Sequence, residues 1–444
     1  MIKKISILKS LLLLFFMVIV TTALAQTKNL ANSVTSNTSS NVLSPNYNIV
    51  EGQNEVLNTN NTFATVKSKA GLVAGLFGAS GELTLNHTTQ IPANTDYYLK
   101  LESDGGTLDG LVGGGLGQLV TGLLNNLLLG DHYFGVTVSG GSNTFTAYTN
   151  TKYNETLDKA RIVMDKNGKH YMKITPDFQF NSIKLTDYNA GLIGILTAVK
   201  STRIYEGFYY TGNSDCAEMM TYYDSSPGLL SLDLAGLGAT GVKSPQFAID
   251  NDTTTASNIG MGVLSVAGSI SQSFILPTTT DNTKDIQVML HMANPALLSV
   301  GVAEGVFIEA YNNGVLVSSQ QVNSAFLGAD LLGLVNQGQK ILVRYKPTGS
   351  YDEVKVTVKG LANVGIAKTV DVYDVAVVNS HPDVNQTVCT VNGTFNLNTI
   401  VPGYSASNTY KYYTYQGVEV TNPTAVKPGS YLVKGVTAAG YCAN

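Results

Sequence analysis

The sequence contains no tryptophan, only three cysteines in 444 residues, and 13% charged side chains. Three cysteines are too few for a disulfide scaffold, and Cys216, Cys389 and Cys442 lack the paired spacing of a zinc site. The histidines are scattered without an H-x-x-x-H motif, and neither a Gly-x-Ser-x-Gly elbow nor a phosphate-loop lysine is present. The common metal, nucleotide and serine-hydrolase sites are therefore not expected, although a pair of glycosidase carboxylates stays open.

Positive charge is also scarce, which argues against nucleic acid as a partner. Residues 1–25 carry three lysines and no acid, so the chain without them has 24 basic and 31 acidic residues and a formal charge of −7. A negative protein repels a phosphate backbone. Gly, Asn, Thr, Ser and Tyr are plentiful instead, a composition typical of extracellular β proteins.

The first residues have the layout of a secretory signal peptide. Lys3, Lys4 and Lys9 precede an apolar run from Leu11 to Val20, and small residues follow up to Ala25. The run is shorter than the roughly 20 residues of a membrane span. The pattern predicts cleavage after Ala25 and a secreted chain without a transmembrane span, and a retained anchor is the alternative.

Residues 26–45 are rich in Asn, Ser and Thr and have few large apolar side chains, so we expect a flexible leader. The remaining chain is too long for one core and repeats itself. Three pairs of segments recur in the same order: Leu57 to Thr65 with Ile249 to Ser257 without a gap, Phe180 to Thr186 with Tyr351 to Thr357, and Ile204-Tyr205 with Val372-Tyr373.

Strand signals dominate both copies. Ile183 to Thr186 and Val354 to Val358 alternate apolar with polar residues, and Asn167-Gly168 and Asn313-Gly314 are hairpin signals. Many short strands with such turns predict an all-β protein, with two tandem jelly-roll-like sandwiches and a smaller third module. The boundaries that we expect are 46–215, 216–380 (a duplicate of the first) and 381–444.

Runs of glycine and leucine recur at equivalent places in the two copies. We expect loops or short helical turns packed against each sandwich, and an apolar contact surface for a partner is the alternative. The longest run, Leu108 to Leu129, holds polar residues and many glycines, which argue against a membrane helix. The six runs are Gly71 to Gly78, Leu108 to Leu129, Gly191 to Val199, Gly260 to Gly268, Ala296 to Val302 and Gly360 to Ala367.

The last module has strand-like spacing of Tyr, Val and Leu with turns at Pro402-Gly403 and Pro428-Gly429, which predicts a small immunoglobulin-like sandwich. Cys389 and Cys442 bracket this module, so a disulfide between them is the preferred pairing. Cys216 is then buried or free.

The chain resembles the modular surface proteins of gliding and biofilm-forming Bacteroidota, an adhesin-like family with immunoglobulin-like repeats. Ala248 to Ala256 is similar to the entry motif of their sandwich modules, and Tyr351 to Val356 and Asp371 to Val375 are similar to later strands. Pro428 to Gly435 and Ala438 to Cys442 are similar to closing strands of the repeat. The resemblance implies an exported protein on the outer-membrane exterior of a Gram-negative bacterium.

Two departures from the family pattern affect this expectation. Asn251 stands where the motif usually has glycine, and Asn58 and Asn60 replace both aspartates of the motif in the first copy. Family members commonly end in a sorting domain, whereas this sequence stops at Asn444, so we expect a fragment or a different attachment.

Asp250 and Asp252 are candidate Ca²⁺ ligands, because this ion prefers clustered oxygens. The alternative is an Asx turn in which the carboxylates bind local amides. The adjacent tyrosines, such as Tyr97-Tyr98 and Tyr209-Tyr210, should each place one ring inward and one outward on a strand. An outward ring could stack on a sugar or shield an edge.

Three functions remain open after these considerations. The first is a non-catalytic surface adhesin that binds an extracellular glycan or surface protein through sandwich loops. The second is a structural spacer, and the third is a secreted glycan-active enzyme. No cofactor is expected apart from the candidate calcium ion.

Overall fold

The computed structural model is nearly all β, with large antiparallel sheets, which confirms the predicted fold class. Residues 1–25, most of each Gly/Leu run, Cys216 and Cys389 lie outside the residues that the structure describes. The described residues are 27–39, 49–69, 79–103, 108, 112, 132–148, 159–189, 199–212, 219–225, 240–261, 268–293, 298, 305–359, 369–380, 393–401, 404–406, 409–414, 418–429, 431–436 and 442–443.

A first strand set forms two sheets that pack face to face. One sheet has the order β2-β5-β11-β7-β8, and the other has β3-β4-β12-β6-β10-β9 with β1 beside the end of β12. The strands are β1 (Thr27–Leu30), β2 (Ser33–Ser39), β3 (Val50–Glu51), β4 (Ala64–Lys69), β5 (Ala79–Ile91), β6 (Tyr97–Ser103), β7 (His132–Gly140), β8 (Asn143–Tyr148), β9 (Ala160–Met164), β10 (His170–Ile174), β11 (Phe180–Asn189) and β12 (Val199–Thr211).

A second strand set repeats this arrangement. Its sheets have the orders β13-β16-β21-β18-β19 and β14-β15-β22-β17-β20. The elements are β13 (Met220–Ser225), β14 (Thr240–Lys243), β15 (Ser257–Met261), β16 (Ser269–Thr280), β17 (Lys284–Met292), β18 (Gly305–Asn312), β19 (Val315–Gln321), helix α1 (Ser324–Asn336), β20 (Ile341–Tyr345), β21 (Tyr351–Lys359) and β22 (Thr369–Asn379).

Period-2 alternation produces the two cores. In β5, Leu83 and Leu85 are buried while Glu82 and Thr84 face outward, and β16, β18 and β21 supply buried residues such as Phe274 to the second core. The hairpins form where Asn-Gly predicted them: Gly168 and Asn313 both have positive φ. Each strand set therefore surrounds an apolar interior, and the first interior extends to Met220, Tyr222 and Ile275 of the second set.

The registers of the two strand sets correspond pair by pair. Lys184 of β11 lies opposite Thr84, and the equivalent Lys355 of β21 lies opposite Ser273. One sequence alignment needs correction, because Ala64 faces Ile204 whereas Ser257 faces Val372. The turn before β15 is thus one residue longer than the turn before β4, and the gapless match across these turns was wrong by one position.

A backbone seam joins the two strand sets. Met164 of β9 pairs with Thr221 of β13, so the outer strands of the two sets adjoin. The Arg161 guanidinium lies 3.8 Å from the ring centroid of Tyr222 and 3.5 Å from the Asp224 carboxylate. The seam therefore combines a backbone pairing, the ion pair of Arg161 with Asp224, and apolar residues of both strand sets. The predicted module boundaries stay a prediction.

The N-terminal segment differs from the expected leader. Its residues 27–30 pair with β12 and its residues 33–39 pair with β5, and Ala31 between them is 6% exposed. Edge pairing uses backbone N–H and C=O groups, so Asn, Ser and Thr suffice for it without large apolar side chains. The leader prediction was wrong for these residues.

Most Gly/Leu runs connect strand ends that meet at one end of a strand set. In the first set, Lys69 lies opposite both Ala79 and Val199, and His132 lies opposite Asn189. The stretches 70–78, 104–131 and 190–198 begin and end there. Parts of four runs are described: Leu108 and Val112 belong to the first core and Leu298 to the second, while Val199 lies in β12 and Gly260 in β15.

The C-terminal described residues form a three-stranded sheet of β23 (Thr409–Thr414), β24 (Tyr431–Val436) and β25 (Cys442–Ala443) around Leu397, Tyr412 and Val426. The immunoglobulin-like topology and the Cys389–Cys442 disulfide stay predictions. Among the described residues, no helix combines the length and apolar character that a membrane crossing requires.

Candidate functional site

A β-bulge places one tyrosine at the same position in each strand set. Between β12 and β6 the register shifts at Tyr205, and between β22 and β17 it shifts at Tyr373. A bulge leaves one residue without a partner and redirects its side chain, which is why bulges often lie beside functional sites. Both tyrosines are half-buried, and each has a lysine ammonium over its ring.

The Tyr205 cluster combines aromatic, cationic and anionic groups. The Phe63 ring packs edge-on against Tyr205 with 5.4 Å between centroids, and Phe63 is 38% exposed. The Lys100 ammonium lies 5.1 Å from the Tyr205 centroid, and the Arg203 guanidinium lies 5.1 Å from that of Phe63. Glu102 accepts hydrogen bonds from both the Tyr205 hydroxyl and Arg203. The cluster thus offers an exposed ring surrounded by charged hydrogen-bonding groups.

The Tyr373 cluster is built from different residues in the same place. The Lys340 ammonium lies 3.8 Å from the Tyr373 centroid and donates to the Thr253 carbonyl at 2.8 Å. Asp371 accepts a hydrogen bond from the Asn258 amide at 2.5 Å and lies 3.0 Å from His291 Nδ1. A half-buried ring, an ammonium and a carboxylate therefore recur here, and the Asn258 amide is added to them.

Burial and a neighbouring carboxylate raise the pKa of the tyrosine in each cluster. Burial and the hydrogen bond to Glu102 raise the pKa of Tyr205, and burial and the Asp371 carboxylate raise the pKa of Tyr373. Burial lowers the pKa of Lys340, which the nearby Asp252 carboxylate partly counteracts. Both tyrosines therefore stay neutral hydrogen-bonding groups at neutral pH.

The turn that holds Asp250 and Asp252 borders the Tyr373 cluster. Asp250 accepts hydrogen bonds from the Asp252 amide and the Thr255 hydroxyl, at 2.9 and 2.7 Å. Asp252 accepts from the amide and hydroxyl of Thr254, and these bonds lower its pKa. Asn251 has φ +63°, a conformation that glycine or asparagine best tolerates.

These contacts are those of the Asx turn that was the alternative to a metal site. Within the described part of the chain, no group of three or more His, Cys, Asp or Glu side chains converges as a metal cluster would. The calcium site at Asp250 and Asp252 stays a prediction.

The paired tyrosines behave as expected in part. Tyr209 is buried and Tyr210 is half-buried, but Tyr97 and Tyr98 are both buried, at 0% and 4% exposure. Tyr98 stacks on Phe208 with 5.6 Å between centroids, so its outward face is covered as well. The exposed clusters instead form around single tyrosines. The repeated Ile204-Tyr205 and Val372-Tyr373 pairs were the available sequence signal.

Comparisons with known proteins identify no family. No family model and no curated protein matches this sequence. Solved structures that resemble it are distant, and three of them are an allantoicase (8% identity, 68% of this chain and 77% of that one, TM-score 0.19), the arabinofuranosyltransferase AftD from Mycobacteria (11%, 93% and 33%, TM-score 0.20), and the tandem CBM22 domain of Xyn10C from Paenibacillus barcinonensis (9%, 80% and 93%, TM-score 0.15). Scores this low contribute nothing to an argument about fold or function.

Proposed function

We propose that this chain is an exported, non-catalytic recognition protein of the bacterial cell surface, an adhesin that binds glycans at the Tyr205 and Tyr373 clusters. The observation that carries the proposal is the recurrence of the cluster at the same bulge in both strand sets. Different sequence positions supply the lysine and the carboxylate in the two copies, so this chemistry recurs although its positions do not.

Sugar chemistry suits these groups. A pyranose ring has an apolar C–H face that packs on an aromatic ring and hydroxyls that pair with carboxylates, amides and ammonium groups. Phe63 supplies an exposed ring in the first cluster, with Glu102, Arg203 and Lys100 around it. In the second cluster, Asp371 and Asn258 are the polar groups beside Tyr373.

A glycan array probed with the full chain tests the proposal. Tyr205→Ala and Tyr373→Ala should each weaken binding about three- to tenfold, because an aromatic contact contributes roughly 0.5–1.5 kcal/mol. The double variant should lose avid binding. Tyr311→Ala is the matched control, since Lys355 also covers the Tyr311 ring, at 4.4 Å, on the other sheet of the second strand set. Wild-type binding by the double variant would contradict the proposal.

A structural spacer is the second candidate, and the seam between β9 and β13 favours it. Backbone pairing between successive strand sets restricts their relative motion, which a stalk requires. A chain that binds no glycan on the array, yet melts with the two strand sets in one transition, would support this function instead.

A further inference from the structure

Three further tyrosines lie together on the outward face of the other sheet of the first strand set. Tyr133 of β7 lies opposite Tyr188 of β11 in the register. One step along the sheet, Gly135 lies opposite both Thr186 and Tyr148 of β8. The three tyrosines therefore surround a position that has no side chain.

The rings of Tyr133, Tyr148 and Tyr188, here called the tyrosine platform, form one continuous aromatic surface. Tyr133 and Tyr188 stack at 4.8 Å with 11° between their planes, and Tyr148 lies 6.1 Å from Tyr188. A Cβ on Gly135 would lie 3.0 Å from ring carbons of both Tyr148 and Tyr188, so these rings lean over the glycine. All three rings are half-buried.

Hydroxyls and one balanced ion pair border the tyrosine platform. The hydroxyls of Thr137 and Thr146 lie 3.1 Å apart in the next row of the sheet. Glu82 accepts hydrogen bonds from the Lys184 ammonium at 3.1 Å and from the Thr186 hydroxyl at 3.3 Å. These neighbours offer hydrogen-bond donors and acceptors, and the charges of Glu82 and Lys184 offset each other.

The second strand set shows that the fold does not require these tyrosines. At the equivalent register positions, Gly305 replaces Tyr133, Lys359 replaces Tyr188, and Phe307 replaces Gly135. The Lys359 ammonium covers Phe307, 4.0 Å from its centroid, and pairs with Glu309 at 3.3 Å. The same sheet is thus built with a charged face in one copy and with an aromatic face in the other.

We infer that the tyrosine platform is a third binding site, independent of the Tyr205 and Tyr373 clusters, and that it takes an uncharged pyranose unit of a polysaccharide. Rings beside hydroxyls match the apolar and polar faces of a sugar. The balanced pair of Glu82 and Lys184 offers no attraction to an ionic ligand. A peptide strand cannot add beside Tyr133 or Tyr188, because β7 and β11 are interior strands whose backbones are already paired.

Calorimetric titration of the full chain with soluble neutral polysaccharides, chosen as hits from a glycan array, tests this site. Tyr133→Ala/Tyr188→Ala should weaken binding at least tenfold, whereas Tyr133→Phe/Tyr188→Phe should stay within about threefold of wild type, since the rings remain. Gly135→Ala keeps every tyrosine but displaces the rings, so it should also weaken binding.

Two controls keep this result distinct from the proposed function. The titrated polysaccharides are therefore those that Tyr205→Ala/Tyr373→Ala still binds on the array, and Tyr133→Ala/Tyr188→Ala is compared within that background; no neutral glycan bound by that background would overturn the inference. Lys359→Ala, on the equivalent face of the second strand set, should leave this binding within about twofold. The inference is overturned if the alanine pair binds neutral glycans like wild type, if the phenylalanine pair loses as much as the alanine pair, or if the wild-type platform binds only acidic glycans or protein.

Discussion

A buried polar network in the second strand set allows a sharp test of how its core is stabilised. The Gln272 amide donates to the Thr221 hydroxyl at 3.0 Å and to the Pro245 carbonyl at 2.8 Å, and it accepts from the Ser257 hydroxyl at 2.5 Å. Gln272, Thr221 and Ser257 are each 0% exposed. At the same registers the first strand set has Leu83, Val34 and Ala64.

Gln272→Leu should destabilise the second strand set by about 2–4 kcal/mol. It leaves the Ser257 hydroxyl and the Pro245 carbonyl without these partners, and each unsatisfied buried group costs roughly 1–3 kcal/mol, partly offset by the added apolar contact. Thr221 keeps its own bond to the Ser273 carbonyl, at 2.9 Å.

The triple variant Gln272→Leu/Thr221→Val/Ser257→Ala carries the apolar set of the first copy. It should be about 1–2 kcal/mol more stable than Gln272→Leu alone, because the orphaned Ser257 hydroxyl is removed together with the amide. Urea unfolding followed by far-ultraviolet circular dichroism measures both variants at constant m-value. A triple variant no more stable than Gln272→Leu alone would refute the reasoning.

Two further predictions concern the first strand set. Burial lowers the pKa of His87, which is 6% exposed beside the Tyr97 hydroxyl, to about 4. Between pH 6.5 and 4 the unfolded chain therefore binds a proton that the folded chain does not, so the free energy of unfolding should fall by about 3 kcal/mol as the pH decreases through that window. His87→Leu, which introduces the residue type of Leu276 in the second copy, should flatten this part of the pH profile, as unfolding measured at pH 5 and pH 7 would show. Gly140→Ala should prevent the β7–β8 hairpin from closing, since its Cβ would lie 1.9 Å from the Gln179 carbonyl oxygen. The control Gly141→Ala has open space around its Cβ but φ +60°, so it should lower the free energy of unfolding by only about 1 kcal/mol. Equal melting temperatures for the two variants would contradict this prediction.

Local sequence patterns predicted the strands well because their physics is local. The alternation of Ile183 to Thr186 determines which side of β11 is buried, and Asn167-Gly168 supplies the positive φ that a hairpin needs. Helix α1 was not expected, although Asn323 caps it by accepting a hydrogen bond from the Phe326 amide. Gly328 interrupts its helical backbone at φ +67°, so the apolar residues of this segment do not follow one continuous helical period in the sequence.

The candidate sites could be predicted only in part, because they depend on neighbours across strands. Tyr205 and Tyr373 were visible as repeated residues, but the bulge that redirects them follows from pairing between distant strands. The tyrosine platform joins Tyr133, Tyr148 and Tyr188, which are separated along the chain and meet only through the register of β7, β8 and β11. No pattern within one segment carries that information.

The seam between Met164 and Thr221 has a consequence for avidity. Two binding sites joined by a flexible linker increase avidity over a range of ligand spacings. Two sites joined by paired backbone increase avidity only where the spacing of the ligand's repeating units matches the fixed distance between the sites. With that match, the second contact forms at a high effective concentration. With the proposed glycan sites on both strand sets, the seam would let the chain discriminate polymers by the distance between their repeating units, beyond the identity of any single sugar.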